Sequence, residues 1–176
     1  PLGGHPERRK AAGIEATTGA LGHGLSMGTG IALAGKIRKD KYRVVVLVGD
    51  GEINEGSFWE SSMIASKHKL NNFHIIIDYN KIQSYGKTKE ILDLEPLRKK
   101  LDSFGYSVSE VNGHDISKLN KYFNKIKKNK IKPTALICHT IKGKGFPFAE
   151  SNPYWHHKNS FTNEEVKEIN KYLGKK

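Results

Sequence analysis

Cysteine is almost missing from this chain: its 176 residues hold one, Cys138, inside the apolar run Thr134 to Cys138. One thiol cannot close an internal disulfide, so a covalent framework is excluded, and a buried strand position is expected for it. That usage agrees with a reducing compartment, and a cytoplasmic location is expected. Apolar runs of about eighteen residues are missing as well, which excludes a hydrophobic spanning helix, and no membrane partner is expected. No secretory leader pattern is visible. Acidic residues are scarce, 18 against 30 lysines and arginines, leaving a net charge of +12. An excess of that size raises the question of a nucleic-acid partner. The lysines are scattered, however, with Lys118, Lys121, Lys125, Lys127, Lys128 and Lys130 strung along one surface helix and its exit. Such a pattern is a solvated face, and no nucleic-acid motif accompanies it. No nucleic-acid partner is expected; a mild attraction for anionic, phosphorylated compounds follows from the charge.

Internal repeats and low-complexity segments are also missing. What remains is a chain of single-domain size, and residues 1–176 are read as one domain. Residues 23–38 are small and apolar, with Leu25, Met27, Ile31, Leu33, Ala34 and Ile37 near helical spacing, and predict a largely buried helix. A β-branched strand follows over 43–48, then a helix over 55–69 with Phe58, Met63, Ile64 and Ala65 on its inner side. Strand 73–79, a loop over 81–93 and a short helix over 95–104 come next. Strand 106–111, helix 116–129 and strand 134–141 complete an alternating series. A Gly- and Lys-rich loop, 142–160, precedes a last helix, where Thr162 and Glu165 form a capping box. Alternation with near-continuous apolar strands predicts an α/β fold, a parallel sheet covered by helices on both faces.

Two motifs fall at strand ends. The run Tyr42 to Val48 discharges into Gly49-Asp50-Gly51, and the run Phe73 to Tyr79 into Asn80-Lys81-Ile82. A carboxylate and an amide oxygen at the carboxyl ends of neighbouring parallel strands suit a hard, octahedral cation that also keeps diphosphate oxygens and water. Glycines beside them let the backbone approach and donate N–H groups to a phosphate. Plainer roles compete: Asp50 as a turn cap, Asn80 as an Asx turn.

With these residues the chain resembles the diphosphate-binding, N-terminal part of transketolase, a thiamine diphosphate enzyme. Gly49-Asp50-Gly51 and Asn80 match that family's cofactor signature and its spacing. Thr17 to Ser26 is similar to the glycine-rich segment before the signature, and Gly4-His5-Pro6-Glu7 to the short histidine motif upstream. The resemblance runs from about residue 3 to residue 158. It implies thiamine diphosphate and Mg²⁺ as cofactors, with Ca²⁺ or Mn²⁺ able to substitute. Asp50, Asn80 and the Ile82 carbonyl would be metal ligands, and Gly49 and Gly51 would meet the diphosphate. Backbone at Gly19, Ala20 and Leu21 would touch the aminopyrimidine. His5 and His156 would transfer protons and orient substrate, His156 also reaching the cofactor. Two positions depart from the pattern: His23 stands where glutamine is usual, and His157 where glycine is usual, which leaves His156 and His157 both open as the ring that faces the site. His68, His74, His114 and His139 carry no match and are expected to be structural.

The resemblance also implies that Glu55 and Glu60 sit at an interface, facing the carboxylate that activates the cofactor, which the family carries in its pyrimidine-binding domain. The expectation is therefore a split enzyme. This chain, whose sequence would be preceded by a further helical segment bearing another histidine, would pair with a second subunit carrying the pyrimidine-binding and C-terminal domains. The assembly would be a heterotetramer, α₂β₂, moving a two-carbon ketol unit between sugar phosphates. The alternatives are a deoxyxylulose-phosphate-type synthase, the α-subunit of a 2-oxo-acid dehydrogenase, and a non-catalytic cofactor- or partner-binding fragment.

Overall fold

The computed structural model describes residues 4–174. Its core is a four-stranded parallel sheet built from β1 (Val44–Gly49), β2 (Phe73–Tyr79), β5 (Ser107–Asn112) and β6 (Thr134–His139), in the order β1-β2-β6-β5. A two-stranded antiparallel hairpin, β3 (Ile82–Gln83) and β4 (Gly86–Lys87), lies in the segment after β2 that the sequence predicts as loop. Burial explains the sheet order. β2 is buried at six of its seven positions and β6 at five of six, as central strands must be, whereas β1 and β5 alternate.

Helices α1 (His23–Arg38), α2 (Gly56–Lys67) and α4 (Leu97–Ser103) cover one face, and α5 (Ile116–Ile126) packs on the other. A one-turn helix, α3 (Thr88–Ile91), follows the hairpin, and α6 (Asn163–Tyr172) ends the series. The first face packs Leu25, Phe58, Ile75, Ile77 and Leu101 together. The second packs Ile76, Leu136 and Cys138 against Tyr122 and Ile126. Cys138 is a buried strand residue, as expected. The capping box at the start of α6 is present in both directions.

Two helices are rotated from the sequence expectation. In α1 the buried stripe is Leu25, Gly28, Thr29, Ala32 and Gly35, while Met27, Ile31 and Ile37 face outward. A Cβ at Gly28 would collide with Val46, and one at Gly35 would lie 2.6 Å from the Tyr42 ring, so small residues let the helix sit close on β1. In α2 the stripe is Phe58, Ser61, Ser62 and Ala65, leaving Met63 and Ile64 exposed. On the second face α5 covers β5 and β6 but not β1. Val45 and Leu47 are 48% and 70% exposed there. They line an open groove of about 800 Å³ with Met27 and Ile31.

Candidate cofactor site

β1 and β2 run side by side in parallel, with Gly49 in register with Asp78, so Asp50 and Asn80 follow the carboxyl ends of neighbouring strands. Asp50 is 1% exposed. Its Oδ1 accepts the Gly51 N–H at 2.8 Å, and its Oδ2 accepts the Lys81 N–H in a short bond. Lys81 has φ 68°, a left-handed conformation that a non-glycine residue adopts at a cost of ~1 kcal/mol or more, and that conformation carries its N–H to the carboxylate. Asn80 Oδ1 accepts from the Ile82 N–H at 3.0 Å. The turn cap and the Asx turn are thus both formed, and each oxygen retains a lone pair for another partner. Burial pushes the Asp50 carboxyl up to about 6 against the pull of those two N–H groups; Asp78 adds to the rise and Lys142 opposes it. A carboxylate so buried is what a bound cation would neutralise, and the donor set fits a hard divalent ion. Gly51 is tightly enclosed, its missing Cβ 2.7 Å from the Gln83 Cβ, whereas a Cβ on Gly49 would meet open space. Clusters of three or more His, Cys, Asp or Glu able to hold a metal are absent among the described residues.

The glycine-rich segment is tied to this turn by a residue that motif reading passes over. Glu52 Oε1 accepts the Gly22 N–H at 2.9 Å and its Oε2 the Gly49 N–H at 3.3 Å. One carboxylate therefore joins segments twenty-seven residues apart in sequence, from 22 to 49. Its acidic type within Gly49-Asp50-Gly51-Glu52 was the available signal. Gly22 itself has φ 78°, and a Cβ there would run into Ser57 and Glu55. Gly19, Ala20 and Leu21 are exposed just before α1. Gly19 has φ 134° and packs against His5, whose ring carbon lies 2.9 Å from where a Cβ would be. His5 is thereby brought to the glycine-rich segment.

His156 and His157 both reach Ser84, two residues beyond Ile82: each Nε2 lies 3.2 Å from the Ser84 Oγ. The structure accordingly brings the pair to the site together and does not single out one ring by distance. His156 is held below the usual imidazole range by burial, with Lys142 and His157 adding to the effect. The positive charge of Lys142 bears on both Asp50 and His156, and no motif in its Gly- and Lys-rich loop marks it out from the other lysines. His157 has φ 57°, which is why glycine would suit this position. His23 is exposed, its Nδ1 3.1 Å from the Leu21 carbonyl. Glu55 caps α2 by position only, without a side-chain bond, and both it and Glu60 are exposed. His74 is buried at the far end of the sheet, His114 accepts the Ile141 N–H, and His139 pairs with Glu110.

Comparison with known proteins decides what this arrangement belongs to. Residues 2–176 match the model of the transketolase, thiamine diphosphate binding domain. The chain belongs to the transketolase family. An apulose-4-phosphate transketolase subunit of Actinobacillus succinogenes is 46% identical over 157 residues, covering 89% of this chain and 56% of the relative. A 6-deoxy-6-sulfo-D-fructose transketolase subunit from a Clostridium species is 38% identical, over 85% of this chain and 54% of the relative. The crystal structure of the Campylobacter jejuni transketolase superposes with a TM-score of 0.84 at 30% identity, over 93% of this chain and 26% of that one. The chain thus spans about half the length of the curated subunits it matches. Among the described residues no helix is long and apolar enough to cross a membrane.

Proposed function

We propose that this chain holds the diphosphate and a divalent cation, Mg²⁺ by preference, of thiamine diphosphate within a two-subunit transketolase that transfers a two-carbon ketol unit between sugar phosphates. The single observation that carries the reading is the buried Asp50 carboxylate at the end of β1, beside Asn80 at the end of β2 and the open space over the Cα of Gly49. Asp50, Asn80 and the Ile82 carbonyl would hold the cation, and Gly49 and Gly51 the diphosphate. Bound there, the cofactor supplies the electron sink for cleaving and forming a carbon–carbon bond next to a carbonyl. The chain's own residues bind and orient: Glu52 sets the distance between the glycine-rich segment and the diphosphate turn, and Lys142 adds positive charge beside Asp50 and His156. His5 and His156 are the groups for proton transfer to and from the sugar.

A second subunit is supported by the names of the relatives, which are subunits, and by exposed apolar side chains of the glycine-rich segment, β1 and α2, including Leu21, Leu47, Met63 and Ile64. Glu55 and Glu60, both exposed, would face that subunit, and an α₂β₂ assembly is the proposed form. The test is calorimetric titration of the assembled protein with thiamine diphosphate and Mg²⁺. Asp50→Ala should abolish Mg²⁺-dependent binding while the far-ultraviolet circular dichroism stays that of the parent. Unchanged affinity in that variant would refute the assignment. Ketol transfer should require both subunits, and robust turnover by the purified chain alone would refute the division of labour.

A further inference from the structure

We infer that Ser84 is a positioning residue that fixes the tautomers of His156 and His157 in opposite senses, leaving His156 as the ring that offers a bare Nδ1. The inference rests on the reading of the site as the transketolase cofactor site, and it deepens that reading by choosing between two adjacent imidazoles. The Ser84 Oγ is 3.2 Å from the Nε2 of each ring, and the two rings meet edge to face at 4.2 Å between centroids. A hydroxyl has one hydrogen and two lone pairs; with no other partner for the Ser84 Oγ among the described residues, its hydrogen is used by donating to one Nε2 while its oxygen accepts from the other. The Nδ1 of His156 decides the direction. It is buried without a hydrogen-bond partner, whereas His157 is exposed and its ring can be hydrated. An orphaned buried N–H is rarer than an under-used acceptor, so the His156 Nδ1 is the bare nitrogen and its Nε2 carries the hydrogen. The relay therefore runs from the His156 Nε2–H to the Ser84 oxygen, and from the Ser84 O–H to the Nε2 of His157. His157 is left as the Nδ1–H tautomer, the form that a free histidine side chain in water does not favour. His156 can accept a hydrogen bond or a proton at Nδ1, and His157 serves as the anchor. The left-handed backbone at His157 turns consecutive side chains toward one hydroxyl.

The direct test needs no bound cofactor. Histidine labelled with nitrogen-15 is incorporated into this chain of the assembled protein, and long-range proton–nitrogen spectra are recorded at about pH 8, above the ordinary imidazole range. His157 should be the Nδ1–H tautomer and His156 the Nε2–H tautomer. Ser84→Ala should return His157 to Nε2–H, and Ser84→Thr should restore the parent pattern. His157 found as Nε2–H in the parent, or unmoved by Ser84→Ala, overturns the inference. A second arm reads function. With cofactor affinity unchanged, Ser84→Ala should lower kcat at least about tenfold, Ser84→Thr should recover it, and His157→Asn should cost less than His156→Asn. Equal kcat in Ser84→Ala and the parent overturns the positioning role. Failure of the parent to bind thiamine diphosphate would instead sink the underlying site reading, with the tautomer result standing apart.

Discussion

Replacing Glu52 tests whether the cofactor site is held together by one carboxylate. Glu52→Ala removes the only side-chain acceptor found for the N–H groups of Gly22 and Gly49 among the described residues. Hydrogen bonds to a charged acceptor contribute ~1.5–3 kcal/mol each, the 3.3 Å bond to Gly49 lying at the weak end. Glu52 is only half-buried, so water recovers part of the loss, and a net destabilisation of ~2 kcal/mol is expected. Glu52→Gln keeps one acceptor oxygen but turns an NH₂ toward the other N–H, so it should fall between the parent and alanine, at ~1 kcal/mol. Urea unfolding reads this as a lowered midpoint at unchanged slope. Because the glycine-rich segment is also released from the diphosphate turn, thiamine diphosphate affinity should fall more than the loss of fold explains, while Mg²⁺ at saturation should not restore it. An unfolding free energy within a few tenths of a kcal/mol of the parent's, or a cofactor affinity equal to the parent's in both variants, would refute the clamp.

Three further outcomes follow from the same geometry. His74 is completely buried, bonded to Thr134 and next to Arg43, and burial with that neighbouring charge holds its imidazole down at about 4 instead of 6.5. The unfolded chain thus takes up a proton that the folded one refuses as pH falls below 6.5, so stability contributed by neutral His74 is present above that pH and lost on acidification. Going from about pH 7 to about pH 5 should cost ~2 kcal/mol from this group, and His74→Gln should reduce the measured pH dependence by that amount; identical pH dependence would contradict it. Gly22→Ala meets both φ 78° and a collision with Ser57 and Glu55, and should destabilise by ~2 kcal/mol, whereas Gly30→Ala, in α1 with open space around it, should stabilise by ~0.5–1 kcal/mol in the same urea assay. His5→Ala should slow turnover of the assembled enzyme while the calorimetric affinity for thiamine diphosphate stays close to the parent's, because His5 packs on Gly19 and makes no contact with the Asp50 turn in the hydrogen-bond network; equal turnover would place His5 on the surface only.

The sequence by itself determined the strands of the parallel sheet, because runs such as Val44 to Val48 and Ile75 to Ile77 are apolar and largely β-branched, as strands of a sheet covered by helices require. It determined the strand-end placement of Asp50 and Asn80 and the cap of α6, since these depend on residues a few positions apart. It did not determine the rotation of α1 and α2. Their apolar residues surround the axis, so the period leaves the buried stripe open, and only close contact with β1 selected Gly28 and Gly35 over Met27 and Ile31. Nor could it foresee Glu52 reaching Gly22, or Ser84 standing between His156 and His157, seventy-two residues away from the first of them. Such contacts join distant stretches through side chains whose direction is set by the packed backbone. No local pattern encodes that direction, and the tertiary structure alone decides it.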